Sequence, residues 1–196
     1  MGRRKRQQVN WTNIVSTLST FVLALTALIT VYITLTALAE EREARRPYLT
    51  MQESPQVTMK DNLNLEFKFY NVGVHPAEEL SSRSLVFNES METTPIHNET
   101  FEVVNEIPRD SSSSLLISIE TSTINPNEQN IKPYYIVISL QYDDPILKKV
   151  FQQTVFFKWN GVTEGRIQPI IHVQTDEKTQ ILNYLHQQQL ELESTK

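Results

Sequence analysis

"LNLEFKFYNVGVHPAEEL", residues 63–80, changes character halfway along. Leu63, Leu65, Phe67 and Phe69 alternate with Asn64, Glu66 and Lys68. Successive side chains on a strand point to opposite faces, so this period of two predicts a strand with one face in a core and the other in water. The alternation stops at Asn71, and Gly73 then stands just ahead of His75-Pro76. The whole chain has four glycines, so the position calls for a reason. Glycine reaches positive φ without steric cost, and proline fixes φ and donates no hydrogen bond. The expectation is that Gly73 takes a positive φ in a turn or bulge closing the strand. Pro76 then suits an exposed edge or the start of the next strand.

Alternating or apolar runs recur downstream. They are "SRSLVFN" (82–88), "FEVVNEI" (101–107), "SLLISIE" (114–120), "YYIVISLQY" (134–142), "VFQQTVFFKW" (150–159) and "RIQPIIHV" (166–173), with "YLTMQ" (48–52) as a first short strand. Pro169 demotes its run to an edge or interrupted strand. Turn signals separate the runs at "NPNE" (125–128), "DDP" (143–145) and "NGVTEG" (160–165). Short strands at this spacing, with no helical stretch between them, predict an antiparallel β-sandwich or barrel over residues 48–173. Residues 134–159 read as one long hairpin. Ile136, Ile138, Leu140 and Tyr142 form its core face, opposite Phe151, Val155, Phe157 and Trp159.

The pattern of an alternating strand followed by Asn71, Gly73, Pro76 and Ala77 resembles prokaryotic immunoglobulin-like sandwiches, including the CARDB-like cell-adhesion-related modules. "QYDD" (141–144), after an apolar strand, is a second point of similarity. The resemblance covers about half of the β region. It implies an immunoglobulin-like fold at the cell surface and no conserved active site. Glu78-Glu79 departs from the pattern, with charges where a strand would continue, and leaves the length of that strand open.

Ahead of the β region, no charged residue stands between Arg6 and Glu40, and the apolar part runs 26 residues from Ile14 to Ala39. As a helix it spans roughly 39 Å at 1.5 Å per residue, against a bilayer core of about 30 Å. A cleaved signal peptide has an apolar core of only about 7–15 residues. Ala37-Leu38-Ala39 fits a cleavage site, but the core is too long, so residues 14–39 are expected to remain as a signal-anchor spanning the lipid bilayer. Thr26, Thr30 and Thr34 share one helix face. Such a stripe suits helix packing, although hydroxyls bonded to their own backbone are the commoner outcome. Residues 1–13 form a basic tail with Arg3, Arg4, Lys5 and Arg6, facing Arg42, Arg45 and Arg46 on the other flank. The denser charge predicts a cytoplasmic N-terminus and an extracytoplasmic β domain. Residues 40–47 are the helix end and a linker, broken by Pro47. At the other terminus, residues 174–196 predict a short helix. Thr175 is its expected cap, and Ile181, Leu182, Leu185 and Leu192 form only a partial stripe, so the helix is expected to be loosely docked or frayed at its end.

Composition narrows the function classes. Four of the 18 basic residues lie at positions 3–6, so the rest of the chain carries 14 against 23 acidic residues. Phosphate backbones are bound by clustered Lys and Arg, so no nucleic-acid partner is expected. The absence of cysteine excludes disulfides, thiolate metal sites and a cysteine nucleophile. His75, His97, His172 and His186 show no ligand spacing, and no metal or cofactor is expected. Asp143-Asp144 with Asp110 have the oxygen ligands of a surface calcium site, but adjacent acids before Pro145 more often make a turn. Ser111–Ser114 lacks the glycines of a nucleophile elbow and reads as a solvated loop. Tyr134 and Tyr135 read as a half-buried strand start rather than a binding pair. "NES" (88–90) and "NET" (98–100) are glycosylation sequons in a eukaryotic secretory pathway. No catalytic residue is identified. The expectation is a non-enzymatic membrane protein displaying a β-sandwich for protein interaction or assembly at the cell envelope, with an unidentified protein partner. A ligand-sensing or carbohydrate-binding accessory domain is the alternative.

Overall fold

The computed structural model describes residues 11–103, 105–124, 129–190 and 192, so most of the basic tail and the expected "NPNE" turn lie outside the described residues. The chain divides after Ala44 into two units. The first is helix α1 (Trp11–Ala44), which is long and apolar enough to cross a membrane. Its apolar side chains, Phe21, Leu23, Leu28 and Leu35 among them, are exposed. Thr26, Thr30 and Thr34 donate their hydroxyls to the carbonyls of Val22, Thr26 and Thr30 at 2.9, 2.9 and 2.8 Å. The threonine stripe is therefore satisfied within its own helix.

The second unit is mainly β, with antiparallel sheets. Its strands are β1 (Leu49–Thr50), β2 (Gln56–Met59), β3 (Asn62–Asn71), β4 (Glu78–Asn88), β5 (His97–Val103) and β6 (Ser112–Glu120). The short α2 (Thr121–Ile124) leads to β7 (Tyr134–Asp144), β8 (Lys149–Trp159), β9 (Val162–Thr163), β10 (Arg166–Ile167), β11 (Ile170–His172) and helix α3 (Thr175–Gln187). In the first sheet β3 pairs with β6 along one side and with β2 and β1 along the other. The second sheet has the order β11-β8-β7-β4-β5, and β9-β10 is a separate ribbon.

One apolar core lies between the two sheets. Leu63, Leu65, Phe67 and Phe69 of β3 and Leu115, Ile117 and Ile119 of β6 share it with Ile136, Ile138, Leu140 and Tyr142 of β7 and with Phe157 and Trp159 of β8. The rings of Phe67 and Phe157 meet across it at 5.3 Å. The expected long hairpin forms with Tyr142 opposite Phe151 and Ile136 opposite Phe157. The two-residue period puts these residues on one face, and a slip of one residue would carry the whole set to the other face of the sheet.

A second apolar cluster covers the other face of the second sheet. Leu85, Phe87, Tyr135, Val137 and Phe156 pack against Ile181, Tyr184 and Leu185 of α3. Burial on both faces explains why "SLVF" and "YYIVISL" read as nearly continuous apolar runs, not alternating ones. Tyr134 and Tyr135 are accordingly both buried, one in each cluster.

Several expectations need correction. Helix α3 is firmly docked: Ile181 is fully buried, and the rings of Phe87 and Tyr184 lie 4.7 Å apart. Its cap is Gln174, whose backbone N–H donates to Glu177 Oε2 at 2.9 Å, and not Thr175. The weak stripe misled because Tyr184 supplies the apolar surface that Leu182, left exposed, does not. The run expected at 101–107 is instead β5 at His97–Val103, and Ile107 bridges to Ala77. Ser112–Ser114 are not loop but the start of β6, paired with Tyr70, Phe69 and Lys68. Strand β2 carries no apolar alternation strong enough to have been expected. Glu78-Glu79 does not stop its strand. β4 begins at Glu78, and the register shifts between Glu78 and Ser81, with Glu79 at φ 49°. A bulge absorbs the unfavourable residue without ending the ladder.

Candidate functional site

Three buried polar side chains, Asn71, His75 and Asp144, gather around the motif that follows β3. Asn71 is fully buried. Its Nδ2 donates to the carbonyls of His75 and Ile107 at 2.8 and 3.0 Å. Its Oδ1 accepts from the backbone N–H groups of Gly73 and Tyr48 at 3.0 and 3.2 Å. One amide thus uses both donors and accepts twice, the full hydrogen-bonding capacity of an asparagine side chain.

The segment that follows α1 is drawn into the same place. The Arg45 carbonyl accepts from the N–H groups of Val74 and His75 at 3.2 and 2.9 Å, and the Tyr48 carbonyl accepts from Val72 at 2.9 Å. Residues 45–48 therefore belong to the β unit by their backbone bonds. Gly73 faces that segment. A Cβ built on it would lie 2.2 Å from the Arg45-to-Pro47 backbone at Arg46 O and 2.6 Å from Pro47 Cα. Gly73 does not take a positive φ. Among the described glycines, Gly161 and Gly165 do. The residue is glycine because two backbones approach too closely for any side chain, a different use of the missing Cβ from the one expected.

His75 and Asp144 complete the arrangement. His75 Nδ1 and Asp144 Oδ2 are 2.7 Å apart, with the aspartate side chain fully buried. Asp144 Oδ1 accepts from the N–H groups of Ile146 and Leu147 at 2.8 and 2.9 Å. The carboxylate holds the β7–β8 turn with one oxygen and the β3–β4 loop with the other. Asp144 is a turn residue, as expected, but its pairing with His75 was not legible because 69 residues separate the two. The calcium set does not assemble. Asp110 pairs with Arg109 at the surface, and no metal-holding group of three or more His, Cys, Asp or Glu occurs among the described residues.

The expected turn residues thus have separate tasks. Asn71 is the hydrogen-bond hub and Gly73 the close approach. Pro76 precedes Ala77, whose backbone exchanges two hydrogen bonds with Ile107. A polar core so fully satisfied fixes loop geometry.

Two further polar groups stand elsewhere. Lys158 bridges Glu89 and Glu177, at 3.0 Å to the latter, and Tyr135 donates its hydroxyl to the same Glu177 oxygen at 3.1 Å. Burial pulls the Lys158 ammonium down, but its two carboxylate partners outweigh this and its pKa is raised. Burial likewise pushes Glu177 up, yet the Gln174 amide, Lys158 and Tyr135 hold it below the ordinary carboxylate value. His97 is buried, with Nε2 2.9 Å from Ser84 Oγ, and burial lowers its pKa despite the nearby Glu99. A cleft of about 210 Å³ is lined by Tyr48, Thr50, Gln153, Phe157 and His172 among others. The two sequons differ: Asn88 is engaged in a turn with Thr93, Ser90 and Met91, whereas Asn98 stands exposed on β5 and accepts from Arg83.

No curated protein sequence matches the chain. Solved structures with similarity include the solution structure of a late embryogenesis abundant (LEA) protein, at 11% identity, covering 90% of this chain and 98% of that one, with a TM-score of 0.41. A Northeast Structural Genomics Consortium target is similar at 10% identity, covering 67% of this chain and 96% of that one, with a TM-score of 0.37. β-Glucosidase 3B from Thermotoga neapolitana, in complex with α-D-glucose, follows at 9% identity and a TM-score of 0.32, covering 64% of this chain but 17% of the enzyme. Over residues 14–175, an interval that takes in most of α1 and every strand, the chain matches the model of DUF8453, a domain of unknown function, and it belongs to that family.

Proposed function

We propose that the chain is a single-pass membrane protein, anchored by α1 with its N-terminus cytoplasmic, that displays an immunoglobulin-like β-sandwich outside the cytoplasm for protein interaction or assembly at the cell envelope. The two sheets packed on one core support the sandwich reading, and the CARDB-like resemblance rests on Asn71, Gly73, Pro76 and Ala77. The observation that carries a non-catalytic role is the way the buried polar groups are used. Asn71 is bonded through every donor it has, and both oxygens of Asp144 hold loops. Such groups position backbone.

The test begins with membranes from cells expressing the full chain. It should stay in the pellet after high-salt and carbonate washes, and protease added to intact spheroplasts should digest residues after 46. Release by carbonate removes the anchor, and protection that disappears only on lysis reverses the orientation. For the role itself, a hydrolytic activity of the purified chain that Asp144→Asn or His75→Gln abolishes, with the unfolding midpoint unchanged, would sink the non-catalytic reading.

The cleft beside β8 favours a second reading, a ligand-binding accessory domain. Gln153 lines it, and Gln153 Oε1 is buried and accepts no hydrogen bond from the described residues. Its Nε2 is held by the Leu49 carbonyl at 2.7 Å, so the amide is oriented. Saturation-transfer spectra with a panel of neutral sugars test this. Signals lost in Gln153→Leu support it, and an empty panel removes it.

A further inference from the structure

Four segments of the β unit meet around Asn71 and His75: residues 45–48, 72–75, 107–111 and 144–150. The bonds through Arg45, Tyr48, Ile107, Asp110, Ser111 and Asp144 make them neighbours. The described part of this unit exposes ten large apolar side chains, and five of them, Tyr48, Val72, Val74, Ile146 and Val150, stand on these segments. Arg45, Arg46, Arg109, Lys148 and Lys149 lie among them and are exposed, whereas Asp110 is the one exposed acid there. In an acidic chain this is a local reversal of charge. Exposed apolar side chains clustered in this way mark an interaction surface.

What the surface meets follows from the chain itself, and this step rests on the membrane reading above. The apolar run ends at Ala39, and five helical residues, Glu40–Ala44, separate it from Arg45. That is about 8 Å of helix, comparable with the headgroup layer on one side of a bilayer. Connectivity alone therefore holds Arg45 at the headgroups. Apolar side chains set among Lys and Arg suit the boundary between headgroups and acyl chains, and the cations suit anionic lipid.

We propose that this face docks on the headgroup layer of the bilayer that α1 crosses. Val72, Val74 and Ile146 enter the interface, and Arg109, Lys148 and Lys149 meet lipid phosphates. The domain is then held against the membrane in one orientation, with the opposite end of its sheets turned to partners.

The chain has no cysteine, so single substitutions give clean labelling sites in the full-length protein. Ile146→Cys and Val74→Cys probe the face. Leu25→Cys probes the helix, and Leu116→Cys, on the exposed side of β6, is the reference. A fluorophore at each site is read in vesicles of phosphatidylcholine, with and without phosphatidylglycerol, using nitroxide-headgroup lipid as quencher. The expected result is strong quenching at 146 and 74 and none at 116. Phosphatidylglycerol should deepen it. The variant Arg109→Ser/Lys148→Asn/Lys149→Ser should lower the docked-to-free ratio about fivefold for each charge removed. Asparagine is used at 148 because that residue has φ 53°. Labels at 74 and 146 quenched no more than at 116, while the label at 25 lies in hydrocarbon, overturn the docking and leave the anchor standing. A label at 25 that is open to water overturns both. Quenching indifferent to the three charges and to phosphatidylglycerol overturns the phosphate contacts. Shielding of 146 in native membranes but not in pure lipid vesicles assigns the face to a protein and overturns the lipid.

Discussion

His75 Nδ1 lies 2.7 Å from Asp144 Oδ2, and this contact joins the loop after β3 to the turn after β7, with both side chains buried. Asp144 is also the acceptor for two backbone amides. Removing it leaves a buried imidazole and two part-buried N–H groups without their acceptor. Asp144→Ala is expected to destabilise the β unit by about 3 kcal/mol or more, the usual result of deleting one partner of a buried pair. Asp144→Asn, which keeps one acceptor oxygen, should cost less. A double-mutant cycle with His75→Ala should show coupling of about 1 kcal/mol or more. Buried Trp159 reports unfolding in denaturant titrations of the full chain. Additive effects of the two substitutions would mean that the contact contributes nothing of its own.

Gly73→Ala should destabilise by about 2 kcal/mol, within the range of forced overpacking. The new Cβ meets backbone at Arg46 and Pro47, which cannot move aside as a side-chain end can. Gly73→Asn should be no better than alanine, because asparagine relieves only a left-handed backbone, which Gly73 lacks. Recovery of stability by asparagine would contradict the close-approach account.

Stability should fall on acidification in two steps, the first starting below pH 6.5 and the second below pH 4.5. Burial holds His97 below its ordinary pKa of 6.5, so the fold favours the neutral ring. Its contribution is complete above that value and is lost as pH falls through the depressed folded pKa, where the folded state must take up a proton. His97→Gln should flatten this first step. Glu177 is held below its ordinary value of 4.5, so its contribution is lost only as pH falls below that. Glu177→Gln should shrink the second step, in whose range Glu53 also titrates below its ordinary value, and leave the first. Unfolding midpoints measured against pH for the three proteins check this. A parent profile that is level below pH 6.5 would contradict it.

Helix α3 should behave as part of the β unit. Ile181→Ala is expected to cost about 2–4 kcal/mol, as for other buried aliphatic truncations. Removing residues 174–196 would bare Leu85, Phe87, Tyr135, Val137 and Phe156 together, and the shortened chain should aggregate. Hydrogen exchange provides the direct measurement. Amides of residues 181–187 should exchange on the timescale of β7, and fast exchange there alone would show an undocked helix.

The sequence by itself determined the features that depend on neighbours in the chain. An uncharged run from Gln7 to Ala39 needs only composition and length to declare a helix that can cross a membrane. Alternation in β3, and the paired apolar faces of Tyr134–Trp159, need only the two-residue period of a strand. The tertiary structure decided what depends on residues far apart. Whether Gly73 is required for its φ or for space turned on the segment 45–48, which folds back against it. Asp144 reads as an ordinary turn residue until His75 arrives from another loop. The stripe of α3 looked weak until the second face of β4, β7 and β8 appeared beneath it, because the strength of an apolar contact depends on the surface it meets as much as on the residues that make it. Periodicity is written along the chain, whereas close approach and polar satisfaction are properties of pairs, and for these pairs the partner lies in a different segment.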